Sequence, residues 1–301
     1  MKEHTLLVEK YRSKTLDEYV GNENVKLTIS KYLEQNDIQN LIFYGPAGTG
    51  KTTLAKLIVN NLNCDYLYIN ASDERGIETI RDKVSSFASV ASFKPLKVII
   101  LDEADFLTIQ AQASLRSVIE TFSRSTRFIL TCNFVERIID PLQSRCQVLK
   151  IVPPSMKDVA RHVAGILDKE NIDWDKESLG TIVKQFYPDV RKILGTAQLS
   201  TIDNKLALDK SILVSNNYIE QIINELKTSK NWKNIRQIIT DSNINDYDEL
   251  FKALYEKAST YAGGNEGVIT IILEEYQYHA NFRIDKEINI MACIAKIIQA
   301  L

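Results

Sequence analysis

The chain has 301 residues, 45% of them apolar and 25% charged, and its 37 basic and 39 acidic side chains leave a formal net charge of −2. At roughly 100–200 residues per domain this length allows two or three modest cores, and the ordinary composition excludes a disordered, fibrous or low-complexity chain. No apolar run approaches the roughly 20 residues needed to cross a bilayer, and Met1-Lys2-Glu3-His4-Thr5 lacks the apolar core of a signal peptide, so a cytoplasmic setting without a membrane partner is expected.

In chain order, Leu41-Ile42-Phe43-Tyr44 reads as a buried strand. It runs into the glycine-rich Gly45-Pro46-Ala47-Gly48-Thr49-Gly50-Lys51-Thr52-Thr53, and a helix with one apolar face begins at Thr52 and continues through Ile58. Further strands are expected at 66–70, 97–102, 127–131 and 147–151, with helix-like stretches at Gly76–Val90 and Gln110–Phe122 between them. Alternation of this kind predicts an α/β domain with a parallel sheet covered on both faces. Val152-Pro153-Pro154-Ser155 breaks the pattern, and no convincing strand follows. Met156–Glu170, Lys176–Gln185 and Val190–Ile202 read as the helices of a small second domain. Asn216-Asn217 opens a third, helical region, in which Ile219, Ile222, Ile223 and Leu226 share one face. Gly263-Gly264-Asn265 marks a loop, and Ile294, Ile297, Ile298 and Leu301 repeat the stripe. Such stripes are expected to be intramolecular core. The divisions drawn are 1–152, 153–213 and 214–301.

The chemistry resides mainly in the first division. The G-x-x-x-x-G-K-[ST] pattern is satisfied at every fixed position from Gly45 to Thr52. Its glycines let consecutive N–H groups turn toward a β-phosphate, Lys51 adds charge and Thr52 is suited to Mg²⁺. The phosphate would also meet a helix N-terminus, which favours an anion. Fifty residues on, Val98-Ile99-Ile100-Leu101-Asp102-Glu103-Ala104-Asp105 delivers carboxylates to the end of a buried strand. Asp102 is the expected Mg²⁺ partner, and Glu103 the base that orients or deprotonates the attacking water. Asn133 ends the next strand and offers an uncharged amide to water or γ-phosphate. Arg145, in Pro141-Leu142-Gln143-Ser144-Arg145-Cys146, is remote in sequence from its own phosphate loop, yet guanidinium suits transition-state phosphoryl charge. Arg191 stands at an expected helix start in the second domain, where a lid would bring it to the γ-phosphate. An ATP- or GTP-hydrolysing site follows from the two motifs in this order. Cys64, Cys132, Cys146 and Cys293 are scattered without a C-x-x-C pair, which argues for a reducing interior without disulfide or zinc framework. The near-neutral charge does not advertise nucleic acid; a DNA surface would need its basic residues gathered on one face.

Together, Val8-Glu9-Lys10-Tyr11-Arg12, the phosphate loop, Asn70-Ala71-Ser72-Asp73-Glu74-Arg75-Gly76-Ile77, Asp102-Glu103-Ala104-Asp105 and Ser144-Arg145-Cys146 carry a specific resemblance. The chain resembles the AAA+ sliding-clamp loaders, both the small subunits of replication factor C and the large ATPase subunit of T-even-type phage loaders. Segments 87–93 and 186–192 are the phage-like ones, which tilts the expected setting toward a viral replisome. Coverage is strong over 8–195 and weak beyond. The resemblance implies an AAA+ domain, a helical lid and an all-α collar, acting with ATP and Mg²⁺. Val8, Tyr11 and Arg12 would border the adenine, Asn133 and Arg191 would be the two sensors, and Arg145 would be a finger reaching a neighbour's ATP. Arg75 and Arg81 would hold template phosphates, unless they pair with Asp73, Glu74, Glu78 and Asp82. Gln112 and Arg116 would relay DNA contact to the ATP site. Segments 87–93 and 105–109 are candidate clamp contacts. The implied partners are a sliding clamp, primer–template DNA, further copies of the chain and at least one different loader subunit. Ser13 departs from the family's usual proline, the zinc cluster of bacterial loader ATPases is missing, and the third region is short, as a minimal collar would be.

Rival readings are a nucleotide-binding scaffold whose turnover is not essential, and another AAA+ machine such as an initiator or branch-migration motor. The latter usually appends a winged helix, for which the last region shows no basic recognition helix and no β-wing pattern. A small-molecule kinase would leave Ser144-Arg145-Cys146 unexplained.

Overall fold

The computed structural model describes residues 6–207, 210–242, 247–280, 282–283 and 285–301, with the backbone alone for 79 and 210–217. Two compact units divide at Ala207 and Leu208, and each is described by itself.

The first unit is built on β1 (Leu41–Tyr44), β2 (Cys64–Asn70), β3 (Leu96–Asp102), β4 (Thr126–Cys132) and β5 (Gln147–Lys150), within a residue or two of the expected strands. Their order is β2-β3-β4-β1-β5, and every neighbouring pair is parallel. All seven residues of β3 are buried, which explains why its sequence is a continuous apolar run rather than an alternation. Successive side chains point to opposite faces, and the two faces make two cores. Ile42, Ile99, Leu101, Phe128 and Leu130 pack with Ala111, Leu115 and Ile119 of the helix Ile109–Thr121. Leu41, Phe43, Val98, Ile100 and Ile129 pack with Val25 and Ile29 of the helix Glu23–Gln35 and with Leu54, Leu57 and Ile58 of the helix Lys51–Asn61. Each fully buried Leu, Ile or Phe contributes about 1.5–3 kcal/mol relative to exposure.

Three helices follow, each opened by an oxygen-bearing cap. Ser155 accepts from the Asp158 N–H before Met156–Lys169, Asp175 from the Glu177 and Ser178 N–H groups before Lys176–Phe186, and Asp189 from the Lys192 N–H before Val190–Leu199.

The structure corrects two expectations here. The stretch 76–90 is a helical turn at Ile77–Thr79, a π-helical segment at Ile80–Val84 and a short helix at Ser85–Ser89. Ile80, Val84 and Ala88 are buried at spacings of four, and the wider turn holds them on one side. The helix expected to reach Ile202 ends at Leu199, and Thr201–Ile202 pairs antiparallel with Lys205–Leu206. Asp203 and Asn204 turn this hairpin with φ of 48° and 58°, the positive pair that a two-residue loop of right-handed twist requires.

The second unit consists of the helices Lys210–Lys227, Trp232–Asp241, Asp248–Glu256, Ala258–Tyr261, Glu266–Ala280 and Lys286–Ala300. Asn216-Asn217 fall inside the first of these rather than opening it. Both isoleucine stripes enter one core: Ile222, Ile223, Leu226, Ile294 and Ile297 are buried, and Ile219, Ile298 and Leu301 pack at its edge. Gly263 and Gly264 make the loop at φ +57° and +101°. No helix among the described residues is long and apolar enough to cross a membrane.

Candidate active site

Chain direction in a parallel sheet gathers the ends of β1, β3 and β4 on one rim, and the two motifs meet there. The phosphate loop leaves β1 at Tyr44 and enters the helix Lys51–Asn61 with Gly50 at φ +92°. Gly48 has φ +74°, and a Cβ there would stand 2.1 Å from Asp189 Oδ1, so this position tolerates only glycine. Lys51 is 8% exposed. Its ammonium donates to the carbonyls of Gly45 at 2.9 Å and Pro46 at 2.8 Å and to Asn133 Oδ1 at 2.8 Å. Burial pushes Lys51 below the ordinary lysine value; Asp102 and Asp105 oppose this, and Arg191 reinforces it. Burial also pushes the nearby Cys132 thiol up to about 12, which keeps it neutral.

The β3–β4 register explains the acidic end. Leu101 lies opposite Leu130, so the next pair is Asp102 and Thr131, and the Thr131 hydroxyl donates to Asp102 Oδ1. Thr52 Oγ1 donates to Asp102 Oδ1 at 2.8 Å, with Oδ2 at 3.0 Å, and the Tyr68 hydroxyl donates to Oδ2 at 2.7 Å. Glu103 adopts φ 56°, a left-handed conformation that costs a non-glycine residue about 1–2 kcal/mol. Its N–H is held by Thr131 Oγ1 at 3.1 Å and its carbonyl by the Phe106 N–H at 3.0 Å. Asn133 follows β4 beside the phosphate loop, because Cys132 pairs with Tyr44. Asp105 Oδ2 accepts from the N–H groups of Asn133 and Phe134 at 3.2 and 3.3 Å, fixing the loop that carries the amide.

A cavity of about 130 Å³ adjoins the loop and is lined by Val8, Tyr11, Arg12, Gly48 through Thr53, and Arg191, with Tyr19 and His162 among its other walls. The structure thus brings the N-terminal residues and Arg191 to the phosphate loop. Tyr11 donates to Glu170 Oε1 at 2.5 Å and Lys10 pairs with the same oxygen at 2.7 Å, anchoring the N-terminal segment. Ser13, where the resembling family has proline, donates to the Glu18 carbonyl at 3.1 Å. Thr52 and Asp102 present a hydroxyl and a carboxylate side by side, hard oxygen donors that fit Mg²⁺ beside a phosphate.

Arg145 lies elsewhere. It precedes β5, whose Gln147 and Lys150 pair with Leu41 and Tyr44 at the start and end of β1. Four strand residues at about 3.3 Å each therefore separate it from its own phosphate loop, across the length of the sheet. Its Nε donates to Glu120 Oε1 at 2.8 Å, its Nη2 to the same oxygen, and its Nη1 to the Pro141 carbonyl at 2.7 Å. Arg75 donates to the Ser72 carbonyl at 2.8 Å and lies 5.1 Å over the Phe106 ring. Arg81 and Arg116 are exposed, and Glu74 pairs with Lys83 at 2.6 Å. Gln112 is 1% exposed; its amide donates to the carbonyls of Leu107 at 3.2 Å and Arg137 at 3.0 Å, and its oxygen accepts from the Ile139 N–H at 2.9 Å.

Sequence reasoning did not single out Tyr19, Tyr68, Thr131, Asp105 or His162 as contributors. Thr131 is placed against Asp102 by strand register. The others depend on tertiary packing.

A phosphate loop, an acidic strand end and a polar amide just past the strand between them define the class, a P-loop ATPase of the AAA type. The sequence model of the "ATPase family associated with various cellular activities (AAA)" matches residues 41–154. The chain is 34% identical to the replication factor C small subunit of Sulfolobus acidocaldarius, over 99% of this chain and 97% of that protein. It is 32% identical to the replication factor C small subunit of Saccharolobus solfataricus, over 98% and 94% of the two chains. A probable replication factor C subunit 5 of Dictyostelium discoideum is 40% identical over 66% of this chain and 61% of that protein. The chain belongs to the replication factor C small-subunit family and is an AAA+ ATP-hydrolysing clamp-loader subunit of DNA replication. In fold it is similar to the RuvB Holliday junction branch migration motor of Thermotoga maritima, with a TM-score of 0.56 at 18% identity over 87% and 85% of the two chains. None of these relatives is viral, so the phage-like reading stands on segments 87–93 and 186–192 alone.

Proposed function

We propose that this subunit is a motor whose ATP turnover is completed by a neighbouring subunit and triggered by primer–template DNA. The observation that carries the reading is the separation of Arg145 from its own phosphate loop by the length of the sheet, while Lys51, Thr52, Asp102, Asn133 and Arg191 gather at the other end.

In this reading the loop N–H groups and the helix N-terminus bind the ATP phosphates, with Lys51 turning from the Gly45 and Pro46 carbonyls toward the β- and γ-oxygens. Val8, Tyr11 and Arg12 border the base. Thr52 and Asp102 hold Mg²⁺, which supplies charge neutralisation at the phosphate oxygens. Glu103 accepts the proton of the attacking water, and Asn133 orients that water without adding charge. Arg191, carried by the helix Val190–Leu199, reads the γ-phosphate within the subunit. Arg145 leaves Glu120 and stabilises charge on the γ-phosphate of an adjacent copy, so hydrolysis requires correct assembly. ATP binding orders the assembly that opens a sliding clamp; primer–template DNA aligns each Arg145, and hydrolysis releases the clamp around DNA.

Residues 1–152 form the nucleotide-binding part of this motor, 153–213 its lid and 214–301 the collar through which copies and at least one different loader subunit associate. Arg75 and Arg81 contact template phosphates, Gln112 and Arg116 couple that contact to the ATP site, and 87–93 with 105–109 meet the clamp. The setting is intracellular, at the replication fork. Steady-state ATPase of the full assembly, with and without clamp and primed DNA, tests the reading. Stimulation by the pair is expected; turnover indifferent to both, or full-speed turnover by the isolated chain, overturns it.

A further inference from the structure

Tyr68 has no place in the reading above, yet it touches the centre of the site. It stands in β2 at the edge of the sheet, and its hydroxyl donates to Asp102 Oδ2 at 2.7 Å. The Lys56 ammonium, one helical turn beyond Thr52, lies 4.4 Å from the centroid of its ring. The phenol is thereby held from two elements: its own strand and the helix that carries Thr52. Asp102 receives three hydroxyls in all, from Thr52, Tyr68 and Thr131. A carboxylate offers about four lone-pair directions, so three donors fix its plane and leave one direction open. Without Tyr68, Oδ2 keeps only the longer 3.0 Å approach of the Thr52 hydroxyl, and the broad last torsion of the aspartate is held less firmly.

We propose that Tyr68 is a positioning residue for the metal pair: its hydroxyl locks the Asp102 carboxylate against Thr52 and so sets the affinity for Mg²⁺, not for the nucleotide itself. This rests on reading Thr52 and Asp102 as the magnesium ligands. The expected magnitude is that of an outer-shell partner, whose loss typically costs 10–100-fold in metal affinity.

The test uses the full chain and Tyr68→Phe, which keeps the ring and its contact with Lys56 and removes the hydroxyl. Mn²⁺ binding in the presence of ADP is followed by electron paramagnetic resonance, and ADP binding without metal by calorimetry. The expected result is a metal dissociation constant raised roughly 10–100-fold, with metal-free ADP affinity unchanged. Lys56→Met, which leaves the hydroxyl in place, is expected to leave the metal affinity unchanged. An unshifted metal titration in Tyr68→Phe, or an equal loss in Lys56→Met, overturns the role of Tyr68. Failure of the unsubstituted chain to bind Mn²⁺ with ADP overturns the magnesium assignment itself, and the two failures are distinguished by that control.

Discussion

The two ends of the parallel sheet carry related chemistry in different states of completion. At the carboxyl ends, Lys51 and Asp102 are 8% and 6% exposed and tied to Gly45, Pro46, Asn133, Thr52, Tyr68 and Thr131. At the amino end of β5, the Arg145 side chain is 33% exposed and its carboxylate partner Glu120 is 50% exposed. A buried network whose members satisfy one another is costly to disturb, because each removed partner strands a desolvated group. An exposed ion pair contributes about 0–1 kcal/mol and is surrendered readily to a better anion. The rim is preorganised to receive a triphosphate; the arginine is held loosely, as the proposed donation to another copy requires.

The sharpest way to break this contrast is to remove the arginine. In the assembled loader Arg145→Ala should lower DNA- and clamp-stimulated turnover by about 10³–10⁵-fold. The isolated chain should keep its slow basal rate; an equal loss in the isolated chain would mean that the guanidinium serves its own pocket. Next in size, Glu103→Gln should reduce turnover by about 10²–10⁴-fold while ATP still binds, measured by single-turnover hydrolysis against equilibrium binding.

A smaller effect sharpens the rim itself. Thr131→Val keeps the shape but strands the Glu103 N–H and removes a donor from Asp102. Urea denaturation should show a loss of about 1–3 kcal/mol, whereas Ser144→Ala at the exposed end should show almost none.

The smallest expected effect concerns pH. Burial pushes His162 below the ordinary histidine value, Lys169 adds to this and Glu18 opposes it. The unfolded chain therefore binds more protons than the folded one between the lowered value and the ordinary value of about 6.5. Stability is full above that ordinary value and falls as the pH drops below it; in His162→Gln the thermal midpoint should lose this acid-side slope.

How much of this was legible in the sequence differs by element. The five strands and the rim site were, because β1 and β3 are contiguous apolar runs and each motif follows its strand directly. The left-handed Glu103 and the Asp102–Thr131 pair come from register, which no single segment displays. The hairpin at 201–206 was missed because two residues per strand offer no alternation to read, and its signal is the Asp203-Asn204 turn alone. The π-helical segment at Ile80–Val84 was missed because a spacing of four apolar residues also fits an α-helix. Tyr19, Tyr68 and His162 read as ordinary loop, strand and helix residues until packing places them at the site. Asn216-Asn217 read as an opening because paired asparagines favour turns, but the helix around them has already begun at Lys210.

Placing donor and acceptor at opposite ends of one sheet has a consequence for counting. Under the proposed donation, copies join head to tail, each face meeting an unlike face. A row that does not close on itself then begins with an arginine that has nothing to reach and finishes with a pocket that nothing completes. Such a row always holds one competent pocket fewer than its number of copies, so the chain at its terminus has to be of another kind if that last pocket is to work.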